Sequence, residues 1–126
     1  MTSALVIDDN EQAADGLSRL LALLDVTAEV SYGPRAAMLA LSKKIPEVIF
    51  LDINMPGVDG FEVLAYLRRD PRLDKTPVIV VTSDDQPETR KKAFKLGAID
   101  VIIKPARYGI LEILLRKHRI IASPNS

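Results

Sequence analysis

Residues 47–60, EVIFLDINMPGVDG, are the stretch of sequence that decides the fold. Residues 47–51 (EVIFL) form a short apolar run, which predicts a buried β-strand that ends at Asp52. Residues 54–60 contain one proline and two glycines, which predict a loop. The stretch therefore indicates a buried strand that delivers a carboxylate directly into a loop.

Similar runs occur along the whole chain. Further strands are predicted at residues 4–7, 27–32, 77–81 and 99–103. Helical segments are predicted at residues 10–25, from Gly33-Pro34 onward, around Phe61 to Leu67, at residues 87–97 and at residues 107–121. Strict alternation of apolar strands with helices predicts an α/β fold, (βα)5, with a parallel sheet that helices cover on both faces.

Composition and charge narrow the class of protein. The 126 residues fit one domain, expected over residues 1–122, with residues 123–126 as a polar tail or linker stump. Seventeen basic residues balance 17 acidic ones, so we expect no direct nucleic-acid binding. Without cysteine there is no disulfide framework and no thiol chemistry. We find no signal peptide or membrane span, and expect a cytoplasmic protein with no membrane partner.

Polar side chains follow four of the predicted strands. Asp8 and Asp9 follow the first, Asp52 the third, Thr82 the fourth and Lys104 the fifth. Sites in open α/β sheets form outside the carboxyl ends of the strands, so we expect these groups to converge. Clustered carboxylates repel one another, and Mg²⁺ bound through oxygen ligands would relieve that repulsion. A cation, a hydroxyl and a nucleophilic carboxylate can together receive a phosphoryl group.

In this order, with the loop of residues 54–60 and Lys104-Pro105, the set resembles the response regulator receiver domain of two-component signalling. The resemblance spans nearly the whole chain and implies a three-layer, doubly wound, flavodoxin-like sheet with strand order 2-1-3-4-5. It implies Asp52 as the phosphoacceptor for a histidine kinase or phosphotransfer protein. The protein would then not be an enzyme beyond Mg²⁺-dependent self-phosphorylation and autodephosphorylation.

The same resemblance implies the roles of the neighbouring residues. Asp8, Asp9, Asp52 and the backbone carbonyl of Asn54 would hold Mg²⁺. Thr82 would hydrogen-bond a phosphoryl oxygen and swing inward, and Lys104 would pair with the phosphoryl group ahead of a cis bond to Pro105.

Two regions bear on how a signal would leave the site. Val101 stands three residues before Lys104, where the family commonly has Tyr or Phe, so the usual threonine–aromatic coupling is in doubt. The last predicted helix carries more apolar residues than one inner face needs. Leu111 and Leu115 should cover the sheet. Tyr108, Ile110, Ile113 and Leu114 would then either form a homodimer or partner face with helix four and strand five, or thicken the core locally.

Two other classes of function compete with a phosphorylated switch. The first is a protein-interaction module with the same fold that phosphate does not control, which Val101 favours slightly. The second is an enzyme on a similar sheet. A phosphatase would need an Asp where Asn54 stands, and a flavin protein would need a phosphate-binding loop where Asp9-Asn10-Glu11 stands. His118, the single histidine, lies in a basic stretch favourable to a helix C-terminus and receives no catalytic role.

Overall fold

A computed structural model of the chain describes residues 2–122. The strands are β1 (Thr2–Ile7), β2 (Val26–Ser31), β3 (Val48–Asp52), β4 (Val78–Thr82) and β5 (Asp100–Ile103). The helices are α1 (Glu11–Ala22), α2 (Pro34–Lys43), α3 (Gly60–Arg69), α4 (Pro87–Lys95) and α5 (Tyr108–Lys117).

All strand pairs are parallel, and the sheet order is β2-β1-β3-β4-β5. Alternate strand residues point to opposite faces. Leu5 and Ile49 belong to a core with α2, α3 and α4, whereas Val6 and Phe50 belong to a core with α1 and α5. The predicted three-layer α/β fold with strand order 2-1-3-4-5 is confirmed.

Turn residues fix where the helices begin near the carboxyl edge of the sheet. The Asn10 side chain accepts a hydrogen bond from the Ala13 N–H at 3.0 Å and caps α1. Asp59 caps α3 in the same way, and Gly60 follows it. A Cβ on Gly60 would lie 2.3 Å from the Ile53 Cα, so only glycine lets α3 begin this close to the loop after β3.

Two helices are shorter than their sequence patterns predict. The interval 107–121 was expected to be helical, but α5 ends at Lys117, and Arg119 adopts a left-handed conformation with φ of 58°. The interval 10–25 contains α1 only as far as Ala22, and Asp25 has φ of 60°. Apolar residues continue beyond the end of each helix because the following turn packs on the same core. A left-handed φ value in that turn stops the helix, so the sequence pattern overestimates the length of the helix. The predicted tail at residues 123–126 lies outside the described residues.

The outer surface of α5 divides into two flanks. Leu111 and Leu115 are fully buried, as predicted, while Ile110 and Ile113 are 47% and 60% exposed. Tyr108 was expected beside Ile110, but it lines a groove with Leu23 and Leu24 near α1. Two residues along a helix are about 200° apart around its axis, so Tyr108 and Ile110 face different neighbours. Tyr108 therefore borders the flank toward α1, and its part in a partner face stays a prediction.

Within residues 2–122, no helix combines the length and the apolar character needed to cross a membrane.

Candidate functional site

The carboxyl edge of the sheet brings Asp8, Asp52 and Lys104 together. Asp52 is the last residue of the central strand β3, and Asp8 and Lys104 directly follow β1 and β5. The Lys104 Nζ lies 3.0 Å from Oδ2 of Asp8 and 3.3 Å from Oδ2 of Asp52. The ammonium thus bridges two carboxylates that are 96 and 52 residues away in the chain.

Asp9 completes a cluster of three carboxylates. Asp8, Asp9 and Asp52 each offer a carboxylate oxygen, and these oxygens lie within 4.8 Å of one another. Asp8 and Asp52 are buried, whereas Asp9 is exposed. The Asn10 N–H donates to Asp8 at 2.9 Å, and the Asn54 N–H donates to Asp52 at 2.8 Å. These bonds hold each buried carboxylate in the turn after its strand.

The charges in this cluster do not balance. Burial raises the pKa of Asp52, the Asn54 N–H and Lys104 oppose that rise, and the Asp8 carboxylate adds to it; the net pKa is raised. Burial alone would lower the pKa of Lys104, but the hydrogen bond from Lys104 to Asp8 and the charges of Asp52 and Asp8 outweigh it, so that pKa is raised as well. The raised pKa of Asp52 reflects mainly its burial, to which the Asp8 carboxylate adds, whereas the raised pKa of Lys104 reflects the two carboxylates beside it.

The three carboxylates of the cluster offer oxygen atoms as metal ligands, and Mg²⁺ prefers oxygen ligands. Three carboxylate oxygens within 4.8 Å are close enough to share one ion. Three carboxylates lie around a single ammonium, that of Lys104, so a divalent cation would relieve the repulsion between them. The residues present therefore fit a divalent cation that takes oxygen ligands.

Thr82 ends β4 at the same edge and is held by Asn54. The Thr82 hydroxyl donates to Asn54 Oδ1 and accepts from the Asp84 N–H at 3.0 Å. The Ser83 N–H also donates to Asn54 Oδ1, at 3.2 Å. Asn54 was predicted to be a metal ligand through its backbone carbonyl. Its side-chain contact with Thr82 was missed, because no sequence pattern links positions 28 residues apart.

Comparison with known proteins assigns the family. A family model described as the response regulator receiver domain matches residues 4–115. The chain belongs to this family. The receiver domain is 33% identical over 116 residues to sensory transduction protein RegX3 of Mycobacterium tuberculosis, covering 92% of this chain and 49% of that protein. It is 30% identical over 123 residues to protein RcaC of Microchaete diplosiphon, covering 96% of this chain and 19% of that protein. The chain thus spans half or less of these relatives.

Solved structures agree with the fold of the receiver domain. The chemotaxis protein CheY4 of Vibrio cholerae superposes with a TM-score of 0.86 at 26% identity, covering 96% of this chain and 99% of that one. The signal receiver domain of a DNA-binding response regulator from Colwellia psychrerythraea 34H also gives 0.86, at 27% identity, covering 94% of this chain and 98% of that one.

Two further positions bear on the expectations drawn from the family. The Lys104-Pro105 peptide bond is cis, which confirms that prediction. Val101 pairs with Val80 of β4 and is buried among the core residues on the α2–α4 side of the sheet. Valine has no ring that could move between the core and the surface. The threonine–aromatic coupling that the family commonly uses therefore lacks its aromatic side chain at this position.

A second buried carboxylate, Asp100, lies at the opposite end of β5 from Lys104. The His118 Nε2 is 2.9 Å from Oδ2 of Asp100, and the Lys117 Nζ and an Arg90 nitrogen lie at 3.7 and 3.5 Å from its oxygens. Burial alone would raise the pKa of Asp100, but the hydrogen bonds with His118 and with the Val101 N–H, together with the charge of Lys117, outweigh it, and the pKa is lowered. This cluster joins α4, β5 and the end of α5.

Proposed function

We propose that this receiver domain is a phosphorylation switch in which Asp52 accepts a phosphoryl group from a histidine kinase or phosphotransfer protein. The position of Asp52 is the observation that carries the proposal. Its carboxylate ends the central strand, touches Lys104 at 3.3 Å and lies within 4.8 Å of the other two carboxylates. A nucleophile placed among a lysine and a set of metal ligands is suited to phosphoryl transfer.

The neighbours of Asp52 would handle the charge of the incoming group. Asp8, Asp9, Asp52 and the backbone carbonyl of Asn54 are the proposed ligands of Mg²⁺, which supplies positive charge for the phosphoryl oxygens when bound. Lys104 would turn from Asp52 toward the phosphoryl group. Thr82 would release Asn54 and donate its hydroxyl proton to a phosphoryl oxygen.

The transfer itself needs one bond exchange. A carboxylate oxygen of Asp52 attacks the phosphorus as the bond from phosphorus to the donor's imidazole nitrogen breaks, and the imidazole leaves with the electron pair of that bond. The product is an acyl phosphate on Asp52. Attack by water on the same phosphorus later releases inorganic phosphate and restores the carboxylate.

Labelling with a small donor tests the site. We expect acetyl phosphate with Mg²⁺ to add one phosphoryl group to the wild type, detected by intact-protein mass spectrometry. Asp52→Asn should abolish the gain, because an amide is not a nucleophile here. Asp85→Asn, a change at an exposed carboxyl outside the cluster, should leave it unchanged. An unlabelled wild type, under conditions that label a known receiver, contradicts the proposal.

The output side of the proposal concerns the face of α4, β5 and α5. Each of these elements carries a large exposed apolar side chain: Phe94, Ile103 and Ile110. We infer that phosphorylation shifts the population of states in which this face binds a partner or a second copy. Sedimentation of the phosphorylated and unphosphorylated domain should show the shift, and Ile110→Glu should remove it while leaving labelling intact.

One observation favours a second candidate, an interaction module that phosphate does not control. Val101 is buried and has no ring to relocate, so the coupling known for the family lacks one of its parts. A labelled domain whose partner binding is the same with and without phosphate would support this alternative. The domain limits at residues 1–122 and the cytoplasmic location stay predictions.

A further inference from the structure

A cavity of about 440 Å³ opens beside the carboxylate cluster, between α1 and the turn that follows β5. Its apolar walls come from α1, the strands beneath it and the turn after Lys104. They include Ala13, Gly16, Leu17, Leu20, Phe50 and Ala106. This volume falls within the usual range for sites that bind small molecules.

The cavity exists because the side chains that could fill it are small. A Cβ on Gly16 would meet no atom within 4 Å, although Gly16 lies inside α1. Glycine is a poor residue for a helix interior, where alanine would favour the helix more. Ala106 is only partly buried on the facing wall. The space between α1 and the turn after Lys104 is therefore left unfilled.

The polar end of the cavity carries unbalanced charge. Asp8, Asp52 and Lys104 line it, so two carboxylates face one ammonium, and Asp9 adds a third carboxylate nearby. Lys104 already lies between Asp8 and Asp52. An anionic group entering here would meet the surplus carboxylates, whereas a cationic group would be attracted to them. The charges at the polar end therefore favour a cationic group, and the apolar walls favour an apolar body on the same ligand.

We propose that this cavity binds a small amphipathic cation, with an aromatic or short aliphatic body between α1 and the turn after Lys104 and an ammonium or amidinium at Asp8 and Asp52. The binding itself does not rest on the proposed function. Competition between this cation and Mg²⁺ for Asp8 and Asp52 does rest on the proposed function. The ligand would inhibit phosphorylation, since it occupies the carboxylates that are the proposed ligands of the metal.

Three probes with similar bodies test the charge argument. Binding of 2-phenylethylammonium, 2-phenylethanol and phenylacetate to the Mg²⁺-free wild type would be measured by NMR titration. We expect the ammonium to bind about tenfold or more tightly than the alcohol, and the anion to bind most weakly. Equal affinities for the ammonium and the anion, or no shifts at residues lining the cavity, would overturn the proposal.

Two variants test the location. Ala106→Phe and Gly16→Leu each place a large side chain into the cavity, and each should weaken binding of the ammonium about tenfold or more. Ala36→Phe, at an exposed alanine of α2, is the matched control and should bind as the wild type does. Circular dichroism establishes which variants fold. If a folded filling variant keeps wild-type affinity, the cation does not lie in this cavity.

The competition has a separate readout. Added Mg²⁺ should raise the apparent Kd of the ammonium in the wild type. An unchanged Kd would show that the ammonium group does not bind at Asp8 and Asp52. Ala106→Phe should still be labelled by acetyl phosphate, because Ala106 is outside the proposed phosphorylation machinery. Loss of labelling in the wild type would count against the proposed function alone, since the titration measures binding directly.

Discussion

Asp52 and Asp100 are equally buried, each with 3% of its surface exposed, yet their surroundings act in opposite directions. Asp52 shares its end of the sheet with two other carboxylates and one lysine. Asp100, at the other end, lies among His118, Lys117 and Arg90. The pKa of Asp52 is raised, and that of Asp100 is lowered.

The contrast shows that burial alone does not decide what a carboxylate does. Burial disfavours the charge at both positions. At Asp52 it prevails over the Asn54 N–H and Lys104, whereas at Asp100 the hydrogen bonds and the charge of Lys117 prevail over burial. Surplus cations around Asp100 stabilise the folded state and join three elements. Surplus carboxylates around Asp52 leave a site that gains from binding a cation, which is the property a phosphoryl acceptor with a metal requires.

The largest effect is expected at Asp100. Asp100→Asn should lower the free energy of unfolding at pH 7 by about 3 kcal/mol, because it replaces a buried carboxylate that forms charge-assisted hydrogen bonds with His118 and the Val101 N–H. Chemical denaturation would measure the change. Lys117→Gln is the control and should cost less than about 0.5 kcal/mol, since Lys117 is mostly exposed. If Asp100→Asn lowers the free energy of unfolding no more than Lys117→Gln does, the contrast between Asp100 and Asp52 is contradicted.

The pH dependence should separate the two carboxylates. Because the pKa of Asp100 is lowered on folding, the unfolded chain takes up this proton first as the pH falls. The stabilisation by Asp100 is therefore complete above its unfolded pKa of about 4 and is lost as the pH falls through the folded value. Denaturation from pH 7 to pH 3 should show the wild type approaching Asp100→Asn. A constant difference across that range contradicts the assignment.

Metal should stabilise the other end of the sheet. At about ten times its Kd, Mg²⁺ should raise the free energy of unfolding of the wild type by about 1.4 kcal/mol. Asp52→Asn should weaken this response, because it removes one carboxylate of the cluster. Thermal unfolding with and without Mg²⁺ measures both. Equal stabilisation of Asp100→Asn and the wild type would show that the metal acts at the Asp52 end.

The smallest effect is expected for Asp52 without metal. Asp52→Asn should raise the free energy of unfolding at pH 7 by about 1 kcal/mol, since it removes one of several crowded charges. The raised pKa of Asp52 means that the folded protein takes up this proton first, so the gain should fade as the pH falls. Urea denaturation in chelator-treated buffer would measure it, and a loss of stability would contradict the charge surplus.

The sequence predicted the fold well because its signals are local. Each apolar strand and each turn, such as Asp59-Gly60, can be recognised within a few residues. The convergence of Asp8, Asp52 and Lys104 followed from a general property of parallel sheets. What was missed depends on packing. The contact of His118 with Asp100 and the position of Tyr108 beside α1 both require the rotation of α5 about its axis, which no short pattern gives.

The cavity escaped prediction for a related reason. A helix pattern records which residues are apolar, but not whether facing side chains meet. Gly16 and Ala106 are far apart in the chain and fit their local structures without conflict. Only their placement around one cavity shows that the space between α1 and the turn after Lys104 is unfilled.

The hydrogen bond from Thr82 to Asn54 gives the resting domain a thermodynamic bias. If Thr82 turned to a phosphoryl oxygen, this bond would be lost, and a typical net value of about 1 kcal/mol corresponds to about a fivefold preference for the resting population. Asn54, two residues after the proposed acceptor Asp52, would thus set a threshold that phosphorylation has to exceed. In Asn54→Ala, the resting and switched populations would be closer to equal. Less phosphorylation would then be needed to shift them, and more of the domain would occupy the switched state without phosphorylation.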